Sequence, residues 1–177
     1  MIGRRAVAIE EQADELHAQL SDFFAEHYDR LVRLAALVCH SEATVEDAVQ
    51  AAMEQAWRRR HTLHDLQRLK PWLDQIVVRE AIRSNRKPWW SWLGRATIAD
   101  AEVMADRRTS VDPAWIALAE AFRRLPAEQR AAVALHMYSG YSVQETADLT
   151  GANVETTRSR LRLARNRLRR DLGEEES

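Results

Sequence analysis

One cysteine, five glycines, four prolines and almost no net charge leave this chain few of the usual routes to a fold or an activity. The lone Cys39 forbids a disulfide within the chain and leaves no cysteine-built zinc site, which needs several thiolates or imidazoles. In "RLAALVCHSE" it reads as a buried core thiol. No stretch approaches the roughly twenty apolar residues of a membrane span. The start, "MIGRRAVAIEEQADE", has two arginines but turns acidic without an apolar run, so it is no secretory signal. The cytoplasm is the expected compartment, with no membrane partner. Few glycines and prolines, and no run that alternates apolar with polar residues, also leave strands without their signal. The reading is all helical.

What is present is a charge distribution. The formal net charge is -1, yet Glu10, Glu11, Asp14, Glu15, Asp22, Glu26 and Asp29 make the beginning acidic while arginines gather near the end. A neutral total with one basic end is unlike a nucleic-acid coat protein, whose affinity rests on many phosphate contacts. It suits a chain that binds DNA weakly alone, or only inside a larger complex.

Two small helical bundles joined by a linker account for the pattern. Residues 1–20 read as a polar lead-in, disordered in part or a frayed helix. In 21–87, Ser21 and Asp22 are candidate caps for a helix with Phe24, Tyr28, Leu31, Ala35 and Val38 on one face. Ser41 or Thr44 opens a second, with Val45, Val49, Ala52, Met53 and Trp57 aligned, and Pro71 sits in the first turn of a third, "PWLDQIVVREAIRSNRK". From 88 to 112 the periodicity breaks, and Trp89, Trp90 and Trp92 are expected to pack back on one of the bundles. In 113–173, Asp112 and Pro113 start one helix, Pro126 and Gly140 bracket another, and Ser142 with Glu145 three residues on forms a capping box.

A glycine turn at "GAN" and a cap at Asn153 then introduce "NVETTRSRLRLARNRLRR", seven arginines on one helix. At about 100° per residue, Val154, Thr157, Leu161, Ala164 and Leu168 form an apolar stripe, and Arg158, Arg162, Arg165 and Arg169 a basic row beside it. A row of arginines is often a solvated face and nothing more. A short helix, a tight turn and a longer basic helix are, however, the parts of a helix-turn-helix, whose second helix enters the major groove. The turn puts Thr156, Arg158 and Ser159 where side chains reach base edges, Arg158 being suited to a bidentate pair with guanine, and Arg160, Arg162 and Arg165 where they reach flanking phosphates.

At this point a family becomes visible. Leu125, Pro126, Arg130, Gly140, Ser142, Glu145, Ala147, Gly151, Thr156, Arg158, Ser159, Arg160 and Leu161 match, in order and spacing, the promoter-binding domain of bacterial RNA polymerase sigma factors. The resemblance is to the extracytoplasmic-function (ECF) class of the sigma-70 family. Glu46, Asp47, Val49, Gln50, Trp72, Leu73 and Ile76 resemble signatures of that family's first domain, so the likeness covers about residues 21–172.

The resemblance implies an all-α chain whose C-terminal domain is a helix-turn-helix of winged-helix-like type. It implies a non-enzymatic subunit that binds core RNA polymerase (beta and beta-prime subunits) and promoter DNA and is held by an anti-sigma factor. The core-polymerase contact falls on Glu46, Asp47, Gln50, Met53 and Glu54, whose ordinary alternative is a polar helix face with Met53 in the core. The minus-ten element falls to His61, Leu63, His64, Arg68, Trp72, Arg79 and Arg83, where arginines suit phosphate and Trp72 suits either an unpaired base or the core. The minus-thirty-five element falls to Thr156, Arg158, Ser159, Arg160, Arg162 and Arg165. No cofactor is expected, and no metal, because His61 and His64 lack a third ligand.

Three departures stand out. Arg79 replaces an asparagine of the base pocket, Thr44 an acidic residue of the polymerase contact, and Leu163 an arginine of the recognition helix. Phosphorylation would return negative charge at Thr44, although a helix cap is the simpler role. A stand-alone helix-turn-helix regulator is the rival reading, and leaves the first bundle unexplained. A chain that only mimics a sigma factor to sequester an anti-sigma partner would not need the basic residues on both DNA faces.

Overall fold

The computed structural model describes the backbone of residues 2–63, 65–85 and 113–173, with side chains described for 20–63, 65, 67–85 and 117–173. The expected linker 88–112 with Trp89, Trp90 and Trp92, the cap at Asp112, and His64 lie outside the described residues. Among those described, every regular element is helical.

Helix α1 runs Ile2–Val38. It does not begin at Ser21 and Asp22, which are exposed mid-helix. The reason is local: beyond Gly3 the lead-in is rich in alanine, glutamate, glutamine and leucine, all good helix formers, with no proline to break it. Leu20 is fully buried and extends the stripe of Phe24, Leu31, Leu34, Ala35 and Val38 backwards. Tyr28, expected on that stripe, is instead 45% exposed.

Helix α2 spans Glu42–Arg59 with Ser41 as N-cap. The Ser41 backbone N–H donates to Thr44 Oγ1 at 3.2 Å, so the capping role falls to the Ser41–Thr44 pair. Thr44 is buried, which leaves a kinase no access to its hydroxyl in this fold. Short 3₁₀ turns at Arg60–Thr62 and Leu66–Arg68 lead into α3, Leu69–Ser84, with Pro71 in its first turn. Three helices thus pack around Val45, Ala48, Val49, Leu73, Val77 and Ala81.

The second group holds α4 (Pro113–Arg123), α5 (Ala127–Val133) continuing through a π-helical turn (Ala134–Tyr138), α6 (Val143–Thr150) and α7 (Val154–Asp171). These helices do not stand apart from the first three. Ala131, Ala134, Leu135 and Leu149 join the same buried cluster as Leu34, Val38, Leu73 and Val77, so one apolar core runs through both groups. Removing a continuous apolar surface from water is the main force holding such faces together.

Candidate nucleic-acid and polymerase interfaces

The helix-turn-helix is assembled by three local devices. Ser142 caps α6: its Oγ accepts from the Glu145 N–H at 3.2 Å, and its own N–H donates to Glu145 Oε2 at 2.8 Å. Hydrogen bonding to the Ser142 side chain, then to its backbone N–H, holds the Glu145 carboxyl below its ordinary value. Gly151 then takes φ +68°, a left-handed conformation open to glycine at little cost, and the Ala152 N–H closes on the Ala147 carbonyl at 3.0 Å. Asn153 Oδ1 accepts from the Thr156 N–H at 2.7 Å and starts α7.

Capping at Asn153 fixes the rotation of α7. Thr157 and Ala164 are fully buried, with Val154, Leu161 and Leu168 half-buried alongside. Arg158, Arg162, Arg165 and Arg169 are exposed together, the row expected from the sequence. Thr156 and Ser159 are half-buried near the capped end. Arg158 lies 3.5 Å from Glu155, an exposed pair too weak to hold it from a ligand. Arg167 is turned inward and donates to Gln129 at 3.1 Å, while Leu163 stands 42% exposed among the arginines.

The residues assigned to the minus-ten element spread over the α2–α3 connection and α3. His61, Arg68, Arg79 and Arg83 are exposed, whereas Leu63 and Trp72 pack half-buried against the core. Arg83 is paired with Glu80 at 3.3 Å. Arg79 and Arg83 line a groove of about 390 Å³ whose other wall includes Thr150 and Arg160. The structure therefore places residues assigned to two promoter elements around one space.

On α2, Glu46, Gln50 and Glu54 are exposed and Asp47 and Met53 half-buried. Met53 and Trp57 also line, with Phe24 and Tyr28 of α1, an apolar groove of about 580 Å³. That groove explains the exposure of Tyr28, which forms its rim rather than the core. Cys39 is buried, and burial pushes its thiol up despite hydrogen bonding to Ser84 and Thr44. Among the described residues no group of three histidine, cysteine, aspartate or glutamate side chains gathers to hold a metal ion.

Polar contacts between the two groups were not foreseen from the sequence, where Arg130 entered only through the family resemblance and Asp74 not at all. Arg130 is 0% exposed, and its guanidinium donates to the Val38 carbonyl from Nε (3.0 Å) and Nη2 (2.6 Å) and to the Arg123 and Leu125 carbonyls from Nη1. Asp74, also 0% exposed, meets Arg30 at 2.8 Å, Lys70 at 3.4 Å and the Tyr141 hydroxyl at 2.8 Å. One signal was available: an aspartate set inside "WLDQIVV" needs partners if that face is buried.

Comparison with known proteins decides the family. The chain matches the family model for Sigma-70 region 2 over residues 23–91 and that for Sigma-70, region 4 over residues 115–168. It is 36% identical over 154 residues to the ECF RNA polymerase sigma factor SigM of Mycobacterium tuberculosis, covering 85% of this chain and 75% of the relative. The chain belongs to the ECF class of sigma-70 family sigma factors. This sigma factor is also 25% identical over 166 residues to RNA polymerase sigma factor SigV of Bacillus subtilis, covering 90% and 94% of the two chains.

Solved structures agree on the fold of this ECF sigma factor. The sigma factor RpoE of Bartonella quintana, solved with the anti-sigma factor NepR, superposes with a TM-score of 0.62 at 24% identity, covering 88% of this chain and 99% of that one. CnrH, solved with the cytosolic domain of CnrY, gives 0.56 at 22% identity over 89% of each. The ECF sigma factor is thus an all-α protein that directs RNA polymerase to promoters, in a family of non-enzymatic initiation factors. None of its described helices is long and apolar enough to cross a membrane.

Proposed function

We propose that residues 21–87 form the unit that docks on core polymerase and opens the minus-ten element, and that 113–173 form the unit that reads the minus-thirty-five element. On this reading α7 enters the major groove, with Thr156, Arg158 and Ser159 at base edges and Arg162 and Arg165 on flanking phosphates. The supporting observation is the exposed arginine row on a helix whose start is fixed by the Gly151 turn and the Asn153 cap. Arg160 belongs to the same helix end, on the side turned towards α3.

For the first unit, Glu46, Asp47, Gln50, Met53 and Glu54 supply the polymerase contact, an acidic and apolar strip on α2. His61, Leu63, His64, Arg68, Trp72, Arg79 and Arg83 handle the melted strand, arginines on phosphate and Trp72 at a base. The chain itself performs no chemistry, acts in the cytoplasm, and is restrained by an anti-sigma factor, as the solved relatives RpoE and CnrH were captured with NepR and CnrY.

The test is run-off transcription with core polymerase on templates selected from a random promoter pool. A product that appears on addition of this chain and depends on an upstream and a downstream element supports the assignment. Tight, specific binding of the purified chain to a palindromic duplex, with no effect on core polymerase, would favour a stand-alone regulator instead.

A further inference from the structure

We propose that Leu163 is a base-reading residue of α7: its methyl groups seat on the C5-methyl of a thymine in the upstream promoter element and so select that base. This rests on the promoter-reading assignment above and deepens it, from which helix enters the groove to which base one side chain demands. Three observations carry it.

The first is where the side chain stands. Helix α7 keeps its apolar residues on one stripe, with Thr157 and Ala164 fully buried and Val154, Leu161 and Leu168 half-buried. Leu163 lies off that stripe and is 42% exposed, the one large hydrophobic residue of the helix left open to solvent. A single exposed leucine is ordinary on a protein surface. What distinguishes this one is that it interrupts an arginine-rich face, at a position where the family pattern carries arginine.

The second is the row it belongs to. Thr156, Ser159 and Leu163 follow one another at intervals of three and four residues, the spacing that lines side chains up along one helix face. Around the helix from Leu163, Arg162 lies about 100° to one side and Arg160 about 60° to the other. Arg162 is exposed and Arg160 half-buried. Cations on both flanks match the phosphates that border a major groove about 12 Å wide, and a helix held that way turns the row between them to the base edges. Leu163 therefore faces the same floor as Thr156 and Ser159.

The third is what that side chain can accept. Thr156 and Ser159 bring hydroxyls, which bond donors or acceptors alike, whereas Leu163 brings only methyl groups. Of the base edges in the major groove, thymine alone carries a methyl. Over guanine, adenine or cytosine the leucine would strip water from a polar group and return no hydrogen bond. Leu163 lies five residues beyond Arg158, about 7.5 Å of helix, so its thymine falls about two base-pair steps from the guanine assigned to Arg158.

The test uses core polymerase reconstituted with this chain. Upstream elements are selected from a random pool, and the enriched thymine is then replaced by deoxyuridine, which differs only in lacking the methyl group. Thymine is expected at one position within about two steps of the Arg158 base. Deoxyuridine there should lower promoter-dependent run-off at limiting holoenzyme about fourfold, the effect of one buried methyl group, and should make no difference to Leu163→Ala. Alanine is at least as good a helix former as leucine, so that variant keeps α7. Leu163→Arg should move the enriched base from thymine to guanine. Absence of an enriched thymine, or its persistence with Leu163→Arg, overturns the proposal. Equal sensitivity of wild-type and Leu163→Ala chains to deoxyuridine would assign the effect to DNA shape, and a uniform loss on all templates with Leu163→Ala would place the leucine against protein; either overturns the thymine contact. If the wild-type chain gives no promoter-dependent product at all, the promoter-directing reading fails and takes this one with it.

Discussion

The Tyr141 hydroxyl lies 2.8 Å from Asp74 Oδ2, so the residue just before the helix-turn-helix is bonded to a carboxylate on the helix assigned to promoter opening. Burial, then the charge and hydrogen bond of Asp74, push the phenol well above its ordinary value. It is therefore protonated, and a donor to Asp74, at neutral pH.

Replacing Arg130 with alanine removes donors from three carbonyls, Val38, Arg123 and Leu125. A loss of about 3 kcal/mol in unfolding free energy is expected, since buried acceptors lose a charged partner. Urea denaturation checks it, and a change below about 0.5 kcal/mol would mean water replaces the guanidinium freely.

Asn153→Ala should cost about 1 kcal/mol by loss of the cap on the Thr156 N–H. Gly151→Ala, forced to φ +68°, should cost a similar amount, about 1 kcal/mol, through backbone strain rather than contact. Thermal melts of both variants distinguish these from neutral surface changes.

In promoter selection, Arg158→Ala should relax preference at a single upstream position by about 1–3 kcal/mol. Arg162→Ala and Arg165→Ala should instead weaken all templates alike and flatten the salt dependence by about one ion each. Equal behaviour of all three variants would show that Arg158 touches phosphate rather than a base.

Acid should destabilise the fold. Partial burial of its ring, then the facing Arg130 charge, hold His40 below its ordinary value of 6.5, and Nδ1 lies 3.0 Å from Arg130 Nη1. In the unfolded chain His40 takes up a proton at higher pH than in the folded one. The folded form therefore loses stability as pH falls below about 6.5, with no effect from this group above it. Urea denaturation of the wild-type chain and of His40→Gln at pH 5.5 and 7.5 reads the shift; an equal pH dependence of the two chains would refute it.

Cys39 should resist thiol reagents in the native protein at neutral pH, since burial both shields it and keeps it protonated. Its raised thiol also means that stability declines as pH climbs past the ordinary value of 9.0, where only the unfolded chain ionises. Labelling at the rate of global unfolding is the expected outcome, and faster labelling would reveal local opening of the α1–α2 corner.

The legible features were local ones. Ser142 with Glu145, Gly151, and Asn153 with Thr156 act over three residues or fewer, and each does in the structure what its spacing implies. The start of α1 was not legible, because Ser21 and Asp22 cap a helix only if the preceding residues leave it, and a lead-in rich in alanine and glutamate does not. Tyr28 fell off the core stripe for another reason: the groove it borders is formed jointly with Met53 and Trp57 of a different helix. At the DNA-facing end, residue types and order suggested which arginines read promoter, but not that Arg160 would share a groove with Arg79 and Arg83.

Helical periodicity, cap chemistry and residue order were enough, from the sequence, to give an all-α chain with a helix-turn-helix and the likeness to sigma factors, because those properties depend on neighbours within a turn or two. The tertiary structure decided how the two groups of helices meet. Asp74 and Tyr141 are 67 residues apart, and Arg130 and Val38 92. Nothing in the local chemistry of either member of a pair names the other. Only the burial of one shared apolar core brings them within hydrogen-bond distance, and that burial is a property of the whole chain.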